Sequence, residues 1–185
     1  MIPEVKKKTE EKMKSVIEAL KHEFSTIRTG RASLSLLDDV RVDYYGTPSP
    51  VNQVATLSLP DARTINIQPW EPKTLGAIEK AVQKSDLGIN PINDGKMIRL
   101  VMPQLTEERR RELVKKAKKM AEDAKVSARN IRRESNESLK KAEKEKNITE
   151  DELLKGEQDV QRVTDEFIKR IDEALAHKEK EIMEV

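Results

Sequence analysis

"LTEERRRELVKKAKKMAEDAKVSARNIRRESNESLKKAEKEK", Leu105 to Lys146, decides the architecture. It contains neither proline nor glycine, and its apolar residues recur at helical spacing. Thr106 is a residue type that caps helix starts. Glu107 and Glu108 follow where the positive end of the helix dipole favours acids. The stretch therefore predicts one helix from Glu107 to about Lys146, roughly 60 Å long at 1.5 Å per residue. On a wheel of about 100° per residue with Leu113 at zero, Ala117, Met120, Ala124, Ala128, Ile131, Ser135, Ser138 and Ala142 fall within about 60°. So long a helix with one narrow stripe of small residues needs neighbours to cover it.

The neighbours lie at both ends of the chain. Residues from about 3 to 29 place Met13, Val16, Leu20, Phe24 and Ile27 on one helical face. After the long helix, Thr149 and Glu152 form a capping box, and Val160, Val163, Phe167, Ile171 and Ala174 give a last helix its stripe. Gly156 lies early in that helix and predicts loose first turns, at a cost of about 1 kcal/mol relative to alanine. Three stripes imply a three-helix bundle built from residues 1–29 and 106–185.

Between them the texture changes. Gly30 to Pro103 holds seven of the eight prolines and five of the six glycines. Val40, Val42 and Tyr44 alternate with Arg41, Asp43 and Tyr45 before a turn at "YGTPSP", and "TINIQPW" reads as a second strand. Lys73 to Ser85 has helical spacing, and "NDGK" joins "LGINPI" to "KMIRLVM" as a hairpin. Residues 31–104 are then an inserted small β/α/β domain, and the class is α+β. Hinges are expected near Gly30 and at Pro103, Gln104 and Leu105, giving an elongated, L-shaped body of two domains. Trp70 and one of the consecutive tyrosines are expected in the core. Tyr44 and Tyr45 should face opposite sides of their strand.

The long helix also sorts its charge. The sector from about 100° to 200° of the wheel holds Arg111, Lys115, Lys118, Lys125, Arg129, Arg132, Arg133 and Lys140, with Glu122 as its one acid between positions 111 and 140. The net charge is only +2, so attraction for polyanions must come from such local patterning. A solvated helix face usually mixes signs, because Glu–Lys pairs at i,i+4 stabilise it. Guanidinium groups at 129, 132 and 133 suit phosphate, which they grip through two hydrogen bonds. No aromatic residue lies nearby to stack on bases, so the ridge fits backbone and shape recognition of structured RNA.

Composition removes other classes. Charged residues are 38% and aromatics 3%, which suits long helices with narrow buried stripes. Cysteine is absent, excluding disulfides and thiol catalysis. No run of about 18 apolar residues occurs, and the start has no apolar signal core, so a cytoplasmic location is expected. His22 and His177 lack metal-ligand partners at i+3 or i+4, and no P-loop or G-x-G-x-x-G motif is present. No catalytic residue, metal or cofactor is expected.

"FSTIRTGRASLSLLDDVRVDYYG", "TPSPVNQVATLSLPDARTINIQPW" and the long helix, in this order along essentially the whole chain, resemble the ribosome recycling factor family. The resemblance implies a non-enzymatic factor that acts after termination. It would bind the ribosome with elongation factor G and GTP, split it into subunits and free the messenger. The GTP would belong to the partner. The resemblance also implies that the bundle lies against large-subunit ribosomal RNA. It makes Arg132 the leading RNA contact, with Arg129 beside it, Arg110 at the base of the long helix, and Arg28 and Arg31 flanking Gly30; Arg133 ranks below them. The protein is expected to be a monomer without membrane contact. The alternatives are a helical RNA-binding adaptor and a general RNA chaperone.

Overall fold

The computed structural model describes residues 1–184, so Val185, the last residue of the expected bundle, lies outside them. Among the described residues are four α-helices: α1 (Ile2–Ser25), α2 (Leu75–Lys84), α3 (Glu107–Lys144) and α4 (Glu150–Met183). Six strands accompany them: β1 (Arg41–Tyr44), β2 (Thr47–Pro50), β3 (Ala55–Asp61), β4 (Thr64–Pro69), β5 (Ile92–Asn93) and β6 (Ile98–Val101). The chain divides into two compact units, Met1–Arg28 with Glu107–Glu184, and Thr29–Thr106.

The first unit is a bundle of α1, α3 and α4. Thr9 of α1 meets Ser135 of α3, and Lys12 meets Glu134, so these two helices are antiparallel. Ile2 lies beside Gly156, and Ile17 shares a groove with Phe167 and Ala174, so α1 and α4 run parallel. The buried face of α3 is Leu113, Ala117, Ala121, Ala124, Ala128, Ser135, Leu139 and Ala142. Four of these, Ala121, Ala128, Ser135 and Ala142, recur every seven residues. Such a repeat holds one seam against a neighbouring helix. Ser138 was expected inside and is exposed, because Leu139 takes the seam in its place. The core includes a polar bridge. Thr9 donates to the Val5 carbonyl at 2.7 Å, which leaves the Ser135 hydroxyl to donate to Thr9, also at 2.7 Å.

Helix α3 closes through Lys146 at φ 59, with the Asn147 amide donating to the Ala142 carbonyl at 2.9 Å. The Thr149 hydroxyl then accepts from the Glu152 amide at 3.2 Å, and the Thr149 amide donates to the Glu152 carboxylate at 2.8 Å. The Thr149 amide above all, and the Thr149 hydroxyl donating to the same carboxylate at 3.2 Å, hold the Glu152 carboxyl below its ordinary pKa. The expectation of loose first turns is overturned. Gly156 is buried within an unbroken helix, and a Cβ there would stand 3.0 Å from Leu139 Cδ1. Its glycine permits close approach of α4 to α3.

In the second unit β3, β4, β6 and β5 form, in that order, an antiparallel sheet, and β1 pairs with β2 as a separate hairpin. Ile65, Ile67, Ile98 and Leu100 point inward with Ile78 and Val82 of α2. Gly30 lies at φ +77, and a Cβ on it would stand 3.3 Å from the Pro103 carbonyl and 3.4 Å from Leu105 Cγ. The positive φ and this close approach require glycine. Arg63 secures the departing chain by donating to the Met102 carbonyl at 2.9 Å, while the Met102 amide donates to the Arg63 carbonyl at 2.8 Å.

Candidate nucleic-acid interface

The ridge on α3 runs along its seam with α4, and α4 answers with acids. Lys118 pairs with Glu179 at 3.7 Å, Lys125 with Asp172 at 2.5 Å and Lys140 with Glu157 at 3.6 Å. Within α3, Arg129 pairs with Glu122 at 3.2 Å and Arg111 with Glu107. The ridge is therefore not a row of unpaired bases. Three of these acids come from α4 and two from α3 itself, and such surface pairs are worth about 0–1 kcal/mol each.

Three bases of the ridge stand apart. Lys115 and Arg133 make no hydrogen bond or ion pair among the described residues, and both are exposed. Arg132 is half-buried and meets a neutral amide: its Nη1 donates to Gln161 Oε1 at 3.2 Å. The six arginines singled out by sequence separate accordingly. Arg129, Arg132 and Arg133 lie together at mid-length on α3. Arg110 lies at its N-terminal end and donates from Nη1 to the Met183 carbonyl at 2.8 Å, opposite the negative end of the α4 dipole. Arg28 follows α1 and shares that end of the bundle, since α1 and α3 are antiparallel. Arg31 belongs to the other unit.

Sequence reasoning missed Gln161 because its contact with Arg132 exists only across the α3–α4 seam. It also misplaced Trp70, although Tyr44 does pack against the core as one of the tyrosine pair was expected to. Trp70 is 63% exposed, with its Nε1 donating to Thr56 Oγ1 at 2.9 Å. Ile65 and Ile67 face the core, so residues 64, 66, 68 and 70 take the other side, a parity visible in "TINIQPW". Tyr45 is 76% exposed and Tyr44 half-buried. They do not face opposite sides. Tyr45 leaves the strand at φ 50, and Gly46 follows at φ 82. Both hydroxyls then reach the Glu71 carboxylate, at 2.6 and 2.7 Å. Those bonds lower the Glu71 pKa and raise both tyrosine pKa values. His22 and His177 are exposed. No group of His, Asp and Glu able to hold a metal forms among the described residues, and none of their helices is long and apolar enough to cross a membrane.

The sequence pattern of the ribosome recycling factor family matches residues 20–183. The chain belongs to this family. A ribosome-recycling factor of Caldicellulosiruptor bescii is 62% identical over 176 residues, which cover 95% of this chain and 96% of that one. A solution structure of a ribosome recycling factor superposes over 100% of this chain and 98% of its own, at 41% identity and a TM-score of 0.74. A structure of the T. thermophilus ribosome recycling factor and the E. coli elongation factor G bound to the E. coli post-termination complex matches over 99% of each chain. Its identity is 44% and its TM-score 0.63.

Proposed function

We propose that this chain recycles ribosomes after termination by laying its helical bundle on large-subunit ribosomal RNA, with Arg132 as the central phosphate contact. The observation that carries the site is the contrast along α3. Lys118, Lys125, Arg129 and Lys140 each have a carboxylate partner, while Arg132 has only an amide. Arg129 and Arg133 flank it, and Arg110 and Arg28 extend the basic surface to one end of the bundle. Arg31, in the other unit, contacts RNA as well. The second unit engages elongation factor G, and the chain crossings at Gly30 and at Pro103, Gln104 and Leu105 act as its hinge. The protein is a cytoplasmic monomer that performs no covalent chemistry. GTP hydrolysis occurs on the elongation factor, and the bundle transmits the resulting displacement to the contacts between subunits.

The test is binding to purified large subunits across a salt series. Each phosphate contact contributes a slope of about 0.7 to 0.9 in log affinity against log salt. Arg132→Ala is expected to weaken binding and reduce the slope by about that amount. Unchanged affinity and slope would remove Arg132 from the interface. Equal affinity for unrelated duplex RNA would favour a general RNA chaperone instead.

A further inference from the structure

Arg132 does not stand alone in the α3–α4 seam. The pairs Lys118–Glu179 and Lys125–Asp172 advance by seven residues on each helix, in opposite directions. The next step joins Arg132 to Asp165. No ion pair forms there among the described residues. Instead Gln161, one turn from Asp165 on α4, comes between them. Its Nε2 donates to Asp165 Oδ1 at 2.8 Å, and its Oε1 accepts from Arg132 Nη1 at 3.2 Å. Only the amide oxygen can accept from a guanidinium and only the amide nitrogen can donate to a carboxylate, so the two bonds fix the amide in one orientation.

We infer that Gln161, oriented by Asp165, is a positioning residue that aims the Arg132 guanidinium outward while keeping its charge uncommitted, so that it receives an RNA phosphate. This rests on the proposed role of Arg132. The chemistry follows from the donor count. A guanidinium carries five N–H donors, and one is given to Gln161, so four remain. A carboxylate in place of the amide would take two of them in a bidentate pair and neutralise the charge that phosphate needs. A residue without a polar head would leave the long side chain free to move, and binding would then include the entropy of fixing it. An amide holds the group in place and leaves its charge unmatched.

The decisive variant is Gln161→Glu, which keeps the shape and makes the head acidic. The assay is binding of the full chain to purified large subunits across a salt series, beside Arg132→Ala and Gln161→Ala. Helical circular dichroism and thermal midpoint serve as fold controls, which these surface substitutions, at exposed Gln161 and half-buried Arg132, should leave nearly unchanged. Gln161→Glu is expected to weaken binding about tenfold and lower the salt slope by about one phosphate's share, 0.7 to 0.9, as Arg132→Ala does. Gln161→Ala is expected to weaken binding while keeping the slope, because the charge stays available and only its placement is lost. A merely structural role for Gln161 would leave both slopes at the parental value. Arg132→Ala that weakens binding while Gln161→Glu leaves affinity and slope unchanged would overturn the positioning role alone. Arg132→Ala without effect would overturn the proposed contact and the positioning role together.

Discussion

Replacing Gly156 by alanine sets two effects of known sign against each other. Alanine in place of a mid-helix glycine favours the helix by about 1 kcal/mol. Against that, the new Cβ would stand 3.0 Å from Leu139 Cδ1, 3.3 Å from Cδ2 and 3.7 Å from Ile2 Cγ2. Leu139 is fully buried in a cluster with Ala142, Ile148 and Val160, and Ile2, Val5 and Leu153 pack against it, so it has no empty space to enter. Overpacking a filled site costs about 1–3 kcal/mol. The net expectation is destabilisation of about 1 kcal/mol. A second substitution reverses the sign. Leu139→Ala alone should cost about 2–5 kcal/mol through the cavity it leaves. In that background Gly156→Ala meets no Leu139 methyl, so the helix preference dominates and stability rises by about 1 kcal/mol. The coupling between the two sites is then about 2 kcal/mol, within the range of contacting residues. Urea unfolding of the four proteins, followed by helical circular dichroism, measures each term. Gly156→Ala that stabilises the parent protein by the full propensity gain would refute the close approach of α4 to α3 at this point.

The remaining predictions concern turns, caps and the tyrosine pair. Thr149→Ala removes the hydroxyl that accepts from the Glu152 amide and should cost about 1 kcal/mol in the same unfolding assay. Gly30→Ala places a side chain at φ +77 against the Pro103 carbonyl, and a loss of about 1–3 kcal/mol is expected from the second unit. Glu71 has a lowered pKa when folded, so its contribution is present above the ordinary carboxylate pKa and fades as pH falls through the folded value. Tyr44 and Tyr45 are raised, so theirs is present below the ordinary tyrosine pKa and is lost as pH climbs through the folded values. Ultraviolet titration should therefore find both phenols ionising late, and Glu71→Gln should return them towards the ordinary value.

The helices were legible because they depend on local spacing. The capping box at Thr149 and Glu152 forms as its residues indicate, and α3 begins at Glu107 and ends at Lys144, two residues before the expected stop. In the middle of the chain, "TINIQPW", Lys73 to Ser85 and the "NDGK" turn correspond to β4, α2 and the link from β5 to β6. Strand β3 went unread, although Leu57 and Leu59 alternate with Thr56 and Ser58, because its outer half is exposed on both sides. What stayed hidden depends on partners far along the chain. Between positions 111 and 140 the wheel of α3 shows eight bases and one acid on the ridge, but not Glu157, Asp172 and Glu179 brought against them by α4. Gly156 read as a weakness because nothing near it in sequence announces Leu139. The Tyr45 side chain followed a turn conformation, φ 50, that strand alternation does not describe.

Recycling itself is tested most directly by light scattering from purified post-termination ribosomes mixed with elongation factor G and GTP, with and without this protein. A fall in scattering that requires the protein, and that Arg132→Ala abolishes, is expected from a factor that splits subunits through the α3 ridge. Scattering that stays level with a cognate elongation factor present would contradict it.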